Sequence, residues 1–204
     1  MHLGRTFLAT ACAVAASLAV LVSDHGAARA SDPEVWRVTQ VDGEAWLRNK
    51  GPAARPVHKG DRLVAGGFVI TGDGGIVVLS RDSVAMTVLP HSRTEIPATA
   101  DPLGPSTVVH RSGSLLVQID PPLEQSNEPS EAPVLRIETP YLTASVLGTL
   151  LSVQVGEEGA SLYVATGTVE VRSIASGEVA LIRAGQSANV SRDDGGRLRI
   201  VGAL

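Results

Sequence analysis

Residues 139–155 read TPYLTASVLGTLLSVQV, a run of strand formers with a Gly-Thr pair set into its middle. Successive side chains of a strand alternate between its faces, so a period of two assigns each residue to a side. Leu142, Ala144 and Val146 share one side, whereas Leu151, Val153 and Val155 have the opposite parity. The apolar face therefore changes sides at Gly148-Thr149. A β-bulge or a sharp corner absorbs such a change of phase, and an isolated glycine in a strand pattern marks these sites or a close backbone approach. The stretch predicts one bent strand, with Gly148 held in a conformation or contact that no side chain could share.

Outward from this run the same grammar continues. No window beyond residue 30 sustains a 3.6-residue apolar period, and short β-branched runs bounded by Gly, Pro, Asp or Asn recur throughout. They include VWRVTQV, EAWLR, FVIT, GIVVLS, SVAMTVL, TVVH, SLLVQI, VLRIE, SLYVA, TVEVRSI, EVALIR and LRIV. Asp-Gly pairs in VDGE, TGDGG and RDDGGR suit the positive φ of tight hairpin turns. The chain reads as all-β, a sandwich, barrel or β-roll. Two stretches interrupt the rhythm, PATADPLGP at 97–105 and the Pro/Glu-rich PPLEQSNEPSEAP at 121–133. Both predict surface loops. The second reads as an exposed insertion within one domain, or else as a linker between two. A faint internal repeat joins VDGEAWLRNKGPAARPVHKGDRL to ATGTVEVRSIASGEVALIRAGQSA: Gly, strand, turn, strand, then Gly followed by Asp or Gln. Generic hairpin spacing would give a similar pattern.

The first thirty residues differ from the rest. Arg5 precedes an apolar run over Thr6–Val22, and Ala28-Arg29-Ala30 forms a small-x-small cleavage site before Ser31. That is the pattern of a secretory signal peptide. The alternative is an uncleaved anchor, but the run falls short of the ~20 residues a spanning helix prefers. The domains expected are thus a signal peptide at 1–30 and a single β domain at 31–204, with no stable membrane span after cleavage. Cleavage removes Cys12, the one cysteine, so no disulfide framework and no thiolate remain. It also removes Arg5, Arg29 and Asp24, taking the formal charge from −4 to about −5. Phosphate backbones call for a basic face, so nucleic acid is not an expected partner.

The order of several segments is more specific than their grammar. VDGEAWLR is followed by GDRLVAGGFVITGDGGIVVLSRDSVAMTVLPHSRTEI, then SGSLLVQI, IETPYLTASVLGTLLSVQV, VATGTVEVRS and LIRAGQSANV. In this order they resemble the FecR-like domain family, named for the periplasmic regulator of ferric citrate uptake in Gram-negative bacteria. Thr139, Pro140, Gly148 and Thr149, ahead of Gly167-x-Val169 and Ala184-Gly185-Gln186, are its most specific signature. The resemblance implies an antiparallel β-sandwich of jelly-roll or β-roll character. In it Pro140 would enter the sheet where its missing N–H is harmless, and Gly148 would turn the strand onto its new face. The best-known members carry a cytoplasmic anti-sigma segment and a membrane helix before this domain, and often a further domain that contacts an outer-membrane receptor. Here only Met1–Arg5 precede the apolar run, and VGAL follows soon after the match. The pattern implies a stand-alone secreted member rather than a direct regulator of a sigma factor.

Chemistry-bearing constellations are sparse. The histidines beyond residue 30 are His58, His91 and His110, and HSRTE offers His91 and Glu95 without the paired ligands a metal centre needs. Asp73 in TGDGG lacks the further carboxylates of a calcium loop. No G-x-S-x-G elbow appears. Asp42 with Glu44, and Asp193 with Asp194, fall at turn signals, where solvated acids are expected rather than an acid–base pair set apart in a cleft. No catalytic residue, metal or cofactor is expected.

In EAWLR, Ala45 and Leu47 take one face and Glu44, Trp46 and Arg48 the other. Trp and Arg are favoured interface anchors, so these three are the candidate partner contact, unless both faces are covered and Trp46 is core. The expectation is a non-enzymatic periplasmic or secreted module that contacts another cell-envelope component, foremost a protein. The alternative is a polysaccharide- or peptidoglycan-binding module, against which the small number of aromatic residues counts. N-terminal sequencing of the exported protein is expected to begin at Ser31. Retention of Met1 in the inner membrane would show the apolar run to be an anchor.

Overall fold

The computed structural model describes residues 35–49, 51–98, 104–120 and 133–202, all within one compact unit. The expected cleavage residues Ala28, Ala30 and Ser31, and the 121–133 loop apart from Pro133, lie outside the described residues. Among those described, no helix is long and apolar enough to cross a membrane. The first nine strands are β1 (Val35–Asp42), β2 (Ala45–Arg48), β3 (Arg55–Pro56), β4 (Arg62–Val64), β5 (Phe68–Thr71), β6 (Ile76–Arg81), β7 (Val84–Val88), β8 (Arg93–Glu95) and β9 (Ser106–Ile119). The next eight are β10 (Leu135–Glu138), β11 (Leu142–Val146), β12 (Leu150–Val155), β13 (Gly159–Thr166), β14 (Thr168–Ser173), β15 (Val179–Arg183), β16 (Ser187–Ser191) and β17 (Leu198–Val201).

The strands form the two layers of a β-sandwich. The first runs β4-β1-β6-β7-β9-β12-β13-β16-β17. The second runs β3-β2-β5-β8-β9-β10-β11-β14-β15. Between them lies a core of Val, Leu and Ile with Trp36 and Met86 fully buried. Alternation is clean along most strands, as in β14, where Val169, Val171 and Ser173 are buried and Thr168, Glu170 and Arg172 are exposed.

β9 belongs to both layers. Its first half, up to Ser112, pairs with β8 and β10, and its second half, from Gly113, pairs with β7 and β12. TVVH and SLLVQI, which read as two runs, are thus one strand bent at Gly113. Gly113 has φ +86°, and a Cβ there would lie 2.2 Å from Ser92 Oγ and 2.6 Å from the His91 carbonyl. The bend also explains the one parallel pairing among the described strands, β9 with β10. After turning, β9 runs back across the other layer to the side it started from, so β10 sets out beside its first half in the same direction. Parallel neighbours ordinarily need a crossover element, and here the second half of β9 serves as one.

A chain of buried hydroxyls fastens this corner. Thr71 Oγ1 donates to the Leu89 carbonyl at 2.5 Å and accepts from Ser92 N at 3.0 Å. Ser92 Oγ in turn accepts from Ser114 N at 2.8 Å and donates to the Ser114 carbonyl at 3.1 Å. Where the chain leaves one sheet for the other, backbone groups lose their ladder partners. Burying them unpaired would cost on the order of 1–3 kcal/mol each, and the Thr71 and Ser92 side chains supply the missing bonds.

The change of phase at 147–149 is present, but its anatomy differs from the expectation. Residues 139–155 are not one strand: Thr139–Tyr141 form the turn between β10 and β11, followed by β11, a corner at Leu147–Thr149, and β12 in the opposite layer. Thr139 closes the turn through its side chain, accepting from Tyr141 N (3.1 Å) and Leu142 N (2.9 Å). Pro140 lies exposed in that turn, outside any strand. Leu147 and Gly148 are both exposed between buried Val146 and buried Thr149, and they are the residues that shift the parity. Gly148 itself is unconstrained: its φ is not positive, and a Cβ there would meet nothing within 4 Å. The constrained glycine is its neighbour Gly167, between β13 and β14, with φ +79°. A Cβ on Gly167 would stand 2.5 Å from the Gly148 carbonyl oxygen and 2.6 Å from Thr149 Cγ2. Gly148 is approached; Gly167 does the approaching.

The faint repeat has a structural counterpart. In the first unit Gly60 N donates to the Val38 carbonyl and Val38 N to the Asp61 carbonyl, while Asp61 Oδ2 accepts from His58 N at 2.8 Å. In the second, Gly185 N donates to the Val164 carbonyl and Val164 N to the Gln186 carbonyl, while Gln186 Oε1 accepts from Arg183 N at 2.9 Å. The residue after the glycine caps the turn in both, which is why Asp and Gln are interchangeable there.

Urea denaturation is expected to separate the glycines. Gly113→Ala and Gly167→Ala each combine a left-handed φ with a sub-van-der-Waals contact and should destabilise by about 1–3 kcal/mol or more. Gly148→Val should stay within about 0.5 kcal/mol of the parent. Equal losses at all three positions would refute this assignment of the corners.

Candidate functional site

β2 is laid down as its pattern requires, with Ala45 and Leu47 buried against the core and Glu44 and Trp46 facing out. Trp46 is not a core residue: it is 36% exposed, on the outer face of the second layer. In register it lies between Pro56 and Ile70, and its ring edge rests over Gly72, where a Cβ would come within 3.1 Å of Cζ3. Arg48 departs from the expected exposed contact. It is half-buried, with its guanidinium 4.3 Å above the Phe68 ring.

The geometry adds residues that the reading of EAWLR did not include. Register places Phe68 opposite both Arg48 and Glu95. The Arg93 guanidinium lies 4.5 Å from the Phe68 ring centre, so two arginines share this aromatic ring, each such contact contributing on the order of 0.5–1 kcal/mol or more when partly desolvated. Arg93 donates through Nε (3.0 Å) and Nη2 (2.5 Å) to Glu95 Oε1, and Arg111 Nε donates to Oε2 at 3.0 Å. Burial pushes the Glu95 carboxyl up, but Arg93 and Arg111 outweigh it and hold the group below the usual carboxylate range. The result is an outer-face cluster of Trp46, Arg48, Phe68, Arg93, Glu95 and Arg111 on four adjacent strands. Only the parity of FVIT and SRTEI could have hinted at it, because its members meet through strand pairing rather than proximity in sequence.

The remaining candidates are dispersed. His58 is exposed, with Nδ1 4.0 Å from Asp61 Oδ2; His91, at φ +56° in the turn before β8, has Nε2 3.2 Å from Asp73 Oδ1. His110 is fully buried, its Nδ1 3.0 Å from Thr94 Oγ1 and its Nε2 without a partner among the described residues. No group of three or more His, Cys, Asp or Glu converges among the described residues. Asp42 Oδ1 accepts from Gly43 N (3.0 Å), and Asp194 is 2.9 Å from Arg199. Asp73 belongs to a tight turn closed by Gly75 N donating to the Gly72 carbonyl. These placements give each of the three acids a turn or a local charge partner. Thr149 Oγ1 is buried with no partner among the described residues.

No protein-family model matches the chain, and no curated protein is similar to it in sequence. Solved structures that share its fold include two crystal structures of a "putative anti-sigma factor" from Parabacteroides distasonis ATCC 8503, at 1.65 Å and 2.50 Å. Each superposes with a TM-score of 0.54 over 66% of this chain and 59% of that chain, at 15% and 14% identity respectively. At that identity the likeness is one of fold. The chain spans less than two thirds of the protein it matches.

Burial generates a pH dependence. It disfavours the charged imidazole and lowers the His110 pKa, with a smaller opposing effect from the Gly113 backbone. The unfolded chain then binds a proton at higher pH than the fold does. Stability should fall as pH drops below about 6.5, by at most about 1.4 kcal/mol per pH unit, until the folded-state pKa is passed. Urea midpoints measured between pH 7.5 and 5 are expected to decline for the parent and to flatten for His110→Gln. Identical slopes would show that His110 does not govern this window.

Proposed function

We propose that this chain is a FecR-like module of the cell envelope, secreted or periplasmic and non-enzymatic, which acts by holding another envelope protein. One observation carries the reading: an uncovered Trp46 beside arginines stacked on Phe68, on the outer face of a rigid sheet. Large aromatic and Arg side chains that lose little entropy on docking are the usual anchors of protein interfaces. Packing over Gly72 and the Arg93–Glu95–Arg111 bonds fix this surface in advance, which lowers the ordering cost of binding. Two solved structures of the same fold are described as those of a "putative anti-sigma factor", and a regulatory role for this chain fits a surface suited to contact. The residue pattern of the FecR-like family supports the same class, and the signal-peptide pattern supports export.

A photo-crosslinking residue placed at position 46 in cells is expected to give one discrete protein adduct in the envelope fraction, absent when the same residue replaces Ser152 on the opposite face. Trp46→Ala should cost at most about 1 kcal/mol of stability while weakening the isolated complex by about 2 kcal/mol or more, roughly 30-fold. Unchanged affinity in a folded Trp46→Ala protein would remove this face from the interface.

A further inference from the structure

The two outer faces of the sandwich differ in chemistry. The second layer exposes Arg and Glu side chains, among which Arg93, Glu95 and Arg111 pair with one another. The outer face of the first layer, from β9 to β17, is almost uncharged. Across it, strand register sets a row of alternating large and small side chains: Leu116, Ser152, Tyr163, Ser187 and Val201 stand directly opposite one another in turn. Leu116, Tyr163 and Val201 are 38%, 46% and 59% exposed, so they rise as ridges over serine floors. The neighbouring row is Ser114, Gln154, Ser161 and Asn189. Apart from Leu116, the residues of the two rows line a groove of about 450 Å³ that contains no ionisable side chain other than Tyr163. The cation nearest in register, Arg199 opposite Asn189, is tied to Asp194 at 2.9 Å.

The polar groups of this groove are uncommitted. The side chains of Ser152, Gln154, Ser161, Tyr163, Ser187 and Asn189 make no intramolecular hydrogen bond among the described residues. Hydroxyls and carboxamides both donate and accept, and Tyr adds an apolar ring face with a polar tip. A charged ligand would find no counter-charge here, and a purely apolar one would strip water from six polar groups without replacing their bonds, at a cost. A ligand rich in neutral hydroxyls meets both conditions, since it replaces water bond for bond and lays the C–H face of a ring on Tyr163.

We propose that this groove binds a neutral oligosaccharide, with Tyr163 as the stacking platform and Ser152, Gln154, Ser187 and Asn189 as its hydrogen-bonding partners. The site lies on the opposite layer from Trp46 and stands or falls independently of the protein contact. It is tested by titrating the ¹⁵N-labelled protein with cellohexaose, chitohexaose and maltohexaose, and with hexagalacturonate as a charged control. At least one neutral hexasaccharide should give saturable shifts confined to β9, β12, β13 and β16, with little response to hexagalacturonate. Tyr163→Ala should weaken that binding at least about tenfold, and Ser152→Glu should abolish it, whereas Trp46→Ala should leave it unchanged. Tyr163 is an exposed side chain, so its variant is expected to stay folded, which its circular dichroism checks. No saturable shift with any neutral probe, shifts mapping to another face, or unaltered affinity in Tyr163→Ala would each overturn the proposal.

Discussion

The close approach of Gly113 to Ser92 is the contact on which the rest of the sandwich depends. It lets a single strand serve two sheets: a side chain on residue 113 would occupy the space of Ser92 Oγ, and the hydroxyl that fills this space bonds both ways to Ser114. Because β9 turns there, its two halves are the central strands of the two layers, each with four strands on either side. The parallel pairing with β10 and the return of the chain to the starting edge follow from the same bend. Strands on the two sides of β9 share no other hydrogen-bonded ladder among the described residues, so their association rests on β9 and on the apolar core between the layers.

What could be read in the residues, and what could not, divides along the same line. The parity change between Val146 and Leu151 is a local property of the chain, and the structure shows it as a passage from one layer to the other. Which glycine bears the strain is not local. Gly148 looked special for interrupting a strand, whereas Gly113 and Gly167 are special because distant backbone or side-chain atoms reach them. Nothing near TVVHRSGSLL says that Ser92 will stand against Gly113. The repeated Gly-Asp and Gly-Gln are local and legible in the chain, whereas the turn-capping role of Asp61 and Gln186 is given by the structure.

The same reasoning explains the site. The outward orientation of Glu44 and Trp46 followed from alternation within EAWLR. Phe68, Arg93, Glu95 and Arg111 were hidden because they join Trp46 and Arg48 only across β2, β5, β8 and β9. Once assembled, the Phe68 cluster and the Tyr163 groove have opposite characters, one of stacked and paired ions around an aromatic, the other of free hydroxyls and amides around a tyrosine. The proposed protein contact and the proposed oligosaccharide groove lie on different layers of the sandwich.

Native-state hydrogen exchange measures the central claim most directly. If β9 couples the layers, the amides of Val108–Arg111 in one layer and Leu115–Ile119 in the other should exchange only through global unfolding, with one common free energy and one common dependence on denaturant. If either half opens at a distinctly lower free energy while the other stays protected, the layers are separate cooperative units and the bend at Gly113 does not hold them together.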